Sequence, residues 1–170
     1  AHQQGALLNV SQLAAGLGVS SPSASHYIDL LVDLLLVRRL PPYFVNVGKR
    51  LVKSPRIYIR DSGLVHALLR IGDIQTLLGH PVVGASWEGF VIENLLAVAP
   101  AHTPASFYRT TAGAEIDLIL ELGGQHGLWA IEIKRSLAPS PSKGFYHAQD
   151  DLKPTKTFIV YAGQERYPLS

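Results

Sequence analysis

Apolar residues recur at 13, 14, 17 and 19 in SQLAAGLGVS, and then at 24, 27, 28, 31, 34 and 35 through ASHYIDLLVDLLL. That spacing predicts two helices around a tight turn, the second running on into the thirties. Ser11 is the expected N-cap of the first helix, and Gly18 stops it because glycine accepts a left-handed backbone. Ser20 or Ser21 caps the second helix, with Pro22 in its first turn. PPYFV and SPRIYIR then predict two short extended strands flanked by proline. Two helices followed by a two-stranded ribbon make a winged helix-turn-helix layout. IRDSGLVHALLRIGD at 59–73 predicts a strand end, a cap at Asp61 or Ser62, and a helix from Leu64 to Arg70. GHPVVGAS at 79–86 has the composition of a linker, which puts one domain at 1–80 and a second at 85–170.

The second half opens with SWEGFVIENLLAVA, a helix that Ser86 can cap, with Trp87, Val91, Ile92, Leu95 and Leu96 on its apolar side. Glu88 lies four residues before Ile92 and seven before Leu95, so it shares that side. Three strand candidates follow: ASFYR, AEIDLILEL and LWAIEIKR. GGQHG between the last two predicts an antiparallel hairpin. FYHAQDDL suggests a helix, and TKTFIVYAG suggests a further strand.

Composition narrows the class. With 47% hydrophobic and 16% charged residues the chain is globular rather than disordered. Its longest apolar run, LLVDLLLV, is broken by Asp33 and too short for a bilayer, so no membrane association is expected. No basic-then-apolar leader precedes the first helix. The absence of Cys excludes disulfides, thiolate catalysis and cysteine zinc sites, and fits a reducing cytoplasm. The absence of Met suggests a fragment of a longer protein.

Charge adds a candidate partner. Residues 1–85 hold eight Lys/Arg against four Asp/Glu, and residues 86–170 seven against nine. Arg38, Arg39, Lys49, Arg50, Lys53, Arg56 and Arg60 fall in one stretch without an acid. Such a run attracts phosphate backbones, or is simply a solvated face. With Ser21, Ser23, Ser25 and His26 on the exposed start of the second helix, the expectation is a DNA contact dominated by phosphates. Winged helices also serve as protein-interaction modules, so both partners stay open.

The candidate chemistry lies in the hairpin. Glu115, Asp117, Ile119 and Glu121 alternate onto one face of the first arm, and Ala130, Glu132 and Lys134 onto one face of the second. If those faces coincide, Asp117 and Glu132 become cross-strand neighbours about 5 Å apart at Cβ. Two carboxylates so close favour a cation between them, and hard oxygen donors suit Mg²⁺ or Mn²⁺. Lys134 could offset charge building on a phosphate, and Glu88 could be a further ligand or orient the attacking water. A pairing of residue 117 with 133 would instead split the two acids onto opposite faces. The competing expectation is an exposed Glu132–Lys134 pair worth little energetically.

DLILELGGQHGLWAIEIK, with Glu88 on a preceding helix, resembles the D…ExK signature of the restriction-endonuclease-like PD-(D/E)XK superfamily. The ordered set GALLNVSQLAAGLGVS, YIDLLVDLLLVRRLPPY, KRLVKSPRIYIRDSGL, WEGFVIENLL, FYRTTAGAEIDLIL and IEIKRS resembles the domain of unknown function (the 4143 family) found C-terminal to an AAA-type ATPase module. The likeness covers nearly the whole chain. It implies an α+β or α/β fold: an N-terminal winged helix-turn-helix, then a mixed sheet flanked by helices. It also implies an N-terminal ATPase module in the full-length protein, and a nuclease-type core with Glu88, Asp117, Glu132 and Lys134 at matching positions. No GxxxxGK[ST] loop occurs; GKRLVKS has the wrong spacing, so ATP is not expected to bind here by that route. Two functions are therefore expected: a metal-dependent deoxyribonuclease domain, or a non-catalytic DNA-binding or protein-interaction module of the ATPase.

Overall fold

The structure, a computed structural model, describes residues 1–168. It divides into two units, residues 1–40 with 54–90, and residues 41–53 with 91 onward. The architecture is mixed α and β, with a two-stranded and a four-stranded sheet.

In the first unit, α1 (Val10–Leu17) starts before Ser11, because Asn9 rather than Ser11 is the N-cap and accepts from the Gln12 N–H at 3.0 Å. Gly18 ends α1 in the left-handed region as its position demands, at φ 66°. Ser20 caps α2 (Ser21–Asp33) through the Ser23 N–H. Ala14, Ala24 and Ile28 are buried where the two helices meet, and alanine lets such a pair approach closely. The ribbon differs from expectation in its first strand. β1 is Val37–Leu40, not PPYFV, and pairs antiparallel with β2 (Arg56–Ile59). Its rim is followed by α3 (Ser62–Leu68), capped by Asp61, and by α4 (Ile74–Gly79), which the sequence pattern did not reveal. α5 (Val83–Val98) starts inside the expected linker. Ser86 is therefore not a cap; it is buried within the helix, 2.7 Å from His66 Nε2.

The second unit is built on β3 (Ala105–Arg109), β4 (Glu115–Gly123), β5 (Gly127–Lys134) and β6 (Lys156–Tyr161), in that spatial order. The first three are antiparallel neighbours, and β6 runs parallel to β5. A parallel neighbour needs a crossover, which α6 (Lys143–Leu152) supplies. Phe145 and Ala148 of α6 join Tyr108, Ile116, Ile119 and Ala130 in a core cluster.

Residues 41–53 explain why PPYFV is absent from the ribbon. The Tyr43 N–H donates to the Phe107 carbonyl (2.6 Å) and the Phe107 N–H to that of Pro41 (3.0 Å). Val52 N–H donates to Arg109 (2.9 Å), and Thr111 N–H to Arg50 (2.9 Å). This strap thus satisfies the outer edge of β3, and Tyr43, Val45, Val47 and Leu51 pack on the core cluster. Among the described residues no helix is long and apolar enough to cross a membrane.

Candidate functional site

Hairpin register decides whether the acids meet. Leu118 lies opposite Ile131, Ile119 opposite Ala130 and Leu120 opposite Trp129. The same register carried one step further sets Asp117 opposite Glu132, on the face of Ile119 and Ala130. The Ile133 N–H donates to Asp117 Oδ2 at 2.9 Å, which ties the Asp117 carboxylate to the second arm. Glu132 is only 3% exposed. Burial, and next the charge of Asp117, push its carboxyl up to about 7, against the pull of Lys134. Lys134 Nζ lies 2.5 Å from Glu132 Oε1. Glu132 and Lys134 are therefore not a solvated surface pair, and they hold a buried carboxylate beside a second one.

Glu88 has another environment. It belongs to the first unit, where Arg56 Nη1 donates to its Oε1 at 2.7 Å and the Tyr58 hydroxyl to the same oxygen at 2.5 Å. Arg56 and Tyr58 alternate onto the buried side of β2. A carboxylate on the apolar side of α5 is thereby accounted for, since a buried guanidinium needs an acid. Among the described residues no group of three or more His, Asp or Glu could hold a metal ion. The carboxylates brought together are those of Asp117 and Glu132. That fits Mg²⁺, which often takes one or two protein carboxylates and keeps several waters.

The basic run is partly neutralised from elsewhere in the chain. Arg39 pairs with Asp29 (2.6 Å), Lys49 with Asp151 (2.6 Å) and Arg56 with Glu88 (2.7 Å). Arg50 and Lys53 are exposed on the strap, in the second unit, and Arg38 is half-buried on β1. On α2, Ser21 and His26 are exposed and Ser25 is half-buried; the Ser23 hydroxyl is 2.8 Å from that of Ser20. Two polar constellations have no clear local signal: Arg56–Tyr58–Glu88, and Lys49–Asp151–Tyr108, in which the Tyr108 hydroxyl donates to Asp151 Oδ2 at 2.8 Å. A cavity of about 1010 Å³ opens on the opposite sheet face, lined by Leu120, Trp129, Ile131 and Phe158 among others, and contains none of the site residues.

A family model described as "Domain of unknown function (DUF4143)" matches residues 83–170. The chain belongs to the DUF4143 family. The match covers the end of the first unit and the whole sheet that carries Asp117 and Glu132. A second model, "Domain of unknown function (DUF8612)", matches residues 1–75. The chain is 46% identical over all its 170 residues to uncharacterized protein Mb2031c of Mycobacterium bovis and, equally, to uncharacterized protein Rv2008c of Mycobacterium tuberculosis. It spans 38% of the length of each of these relatives. No solved structure matches the chain.

Proposed function

We propose that this DUF4143 chain is a nucleic-acid-linked module of an AAA-type ATPase, in which the second unit is a restriction-endonuclease-like core hydrolysing phosphodiesters with Mg²⁺ or Mn²⁺. The first unit, in this reading, is a winged helix-turn-helix that contacts DNA. The observation that carries the proposal is the hairpin register, which aligns Asp117 with Glu132 beside Lys134.

Asp117 and Glu132 would hold the divalent cation, which when bound polarises the phosphate and its attacking water. Glu132 must give up its proton for that role, so loading is favoured above about pH 7. The Lys134 ammonium, released from Glu132, offsets negative charge developing on a phosphate oxygen. The Ile133 N–H keeps the Asp117 carboxylate aimed across the hairpin. Glu88 has no part in this chemistry; it holds Arg56 and Tyr58.

The test is cleavage of single-stranded, duplex and branched DNA by the full-length protein with Mg²⁺ or Mn²⁺. Asp117→Ala and Lys134→Ala should each lower cleavage at least about a hundredfold while the far-UV spectrum is unchanged. No cleavage of any of these substrates would overturn the hydrolase reading. A second reading, a non-catalytic DNA-binding or interaction module of the ATPase, draws on the small donor set of two carboxylates. It expects salt-dependent DNA binding that survives Asp117→Ala and no turnover.

A further inference from the structure

Four cationic residues of the second unit have their backbone beside one turn. Arg109 ends β3 and faces Glu115 at 3.6 Å across the start of β4. The backbone bonds of Val52 to Arg109 and of Thr111 to Arg50 fix the strap beside the same turn, and so locate Arg50 and Lys53 there. α6 begins with Lys143, and no Cβ fits at the following Gly144 because the Gly113 carbonyl occupies that space. The turn itself is tightly bonded: the Thr110 N–H donates to the Ala114 carbonyl at 2.9 Å, and the Ala114 N–H to Thr110 Oγ1 at 3.0 Å. Its tip, Thr111, Ala112 and Gly113, is small and exposed. Arg50, Lys53 and Lys143 are exposed too, and none of them has a carboxylate partner among the described residues.

We infer that this turn is the phosphate-binding rail of the second unit, gripping a nucleic-acid backbone through Arg50, Lys53, Arg109 and Lys143. The inference deepens the proposed function and rests on its nucleic-acid ligand. In sequence, Arg50 and Lys53 belong to the winged-helix half. The strap delivers them to the sheet instead, while Lys49 is spent on Asp151. The rail stands at the beginning of β4, and Asp117 lies two residues beyond Glu115 on the same face, about 7 Å along the strand. A backbone held at the turn would therefore run toward the carboxylate pair. Small residues at the tip let phosphates approach the four cations, and such contacts carry affinity without sequence preference.

The test uses the 170-residue chain in EDTA, so that binding is read without cleavage, and fluorescence anisotropy of labelled 20-nucleotide single-stranded and duplex DNA. Arg50→Glu/Lys53→Glu should weaken binding at least tenfold and lower the slope of log Kd against log salt by about two. Lys143→Glu should weaken it severalfold, while Arg70→Glu, an exposed cation of the first unit, should leave it within twofold. Arg50→Ala/Lys53→Ala repeats the measurement should the reversal variant fold poorly. Binding unchanged in the double variant, with wild type binding DNA normally, overturns the rail and leaves the proposed function standing. Rail-dependent binding without any cleavage in Mg²⁺ or Mn²⁺ supports the rail and overturns the hydrolase. No DNA binding by wild type overturns both.

Discussion

Asp117 and Glu132 face each other across the β4–β5 hairpin, and the amide between Glu132 and Lys134 is bonded to Asp117 Oδ2 at 2.9 Å. The consequence is a carboxyl, Glu132, that keeps its proton to about pH 7 because it is buried and because Asp117 stands beside it. In the unfolded chain the same group ionises near 4.5. The folded state thus binds this proton more tightly than the unfolded state does. Its contribution to stability is complete below the unfolded value, declines as pH rises from there to about 7, and is flat above. Glu132→Gln should remove that decline. Urea titrations at pH 4.5 and pH 8 should show the variant gaining on wild type by on the order of 2–3 kcal/mol between the two. Parallel pH profiles for the two proteins would contradict the buried acid pair.

Glu88 is a structural acid in this account. Glu88→Ala leaves the buried Arg56 guanidinium without its carboxylate, and removal of one partner from such a pair costs about 3–5 kcal/mol. Replacing both residues by apolar ones, Arg56→Met with Glu88→Leu, should recover much of that loss. Chemical denaturation of the three proteins checks it. A fully stable Glu88→Ala with lost metal binding would return Glu88 to the functional site.

Asp151 ties the strap to the core. Its two oxygens take Lys49 Nζ at 2.6 Å and the Tyr108 hydroxyl at 2.8 Å, and Tyr108 is fully buried. Asp151→Ala should cost about 1–3 kcal/mol, the range for an unsatisfied buried hydroxyl. Hydrogen exchange should locate the effect: the Tyr43 and Val52 amides, which bond the strap to β3, should exchange at least tenfold faster. Equal exchange with a global loss of stability would show that the strap is held by its apolar residues instead.

Periodicity made much of this fold legible. Leu13, Ala14 and Leu17 marked α1, Ile28 and Leu31 marked α2, and the alternation of Asp117 and Ile119 against Leu118 and Leu120 marked β4. The alternation that puts Asp117 on one face of its arm and Glu132 on one face of the other was readable too, but not their meeting, because the GGQHG turn leaves the register open by one residue. The strap was not readable either, since PPYFV has the same local pattern whether it pairs with RIYI nearby or with FYR some sixty residues on. Two prolines, lacking N–H groups, suit it to an edge in either case. The basic run is less cationic than its own residues suggest, for a related reason. Its acids, Asp29, Glu88 and Asp151, lie outside it in sequence, so a local charge count could not register that Arg39, Arg56 and Lys49 are neutralised. Glu88 shares the apolar side of α5, as its spacing from Ile92 and Leu95 indicates, and its carboxylate bonds a buried arginine that no local pattern announces.

Calorimetric titration of the chain with Mn²⁺ at pH 8, where Glu132 is ionised, tests the acid pair most directly. One site per chain, abolished by Asp117→Asn and by Glu132→Gln but retained in Glu88→Gln, is the predicted result. Heat that is absent in wild type, or that persists unchanged in Asp117→Asn, would contradict it.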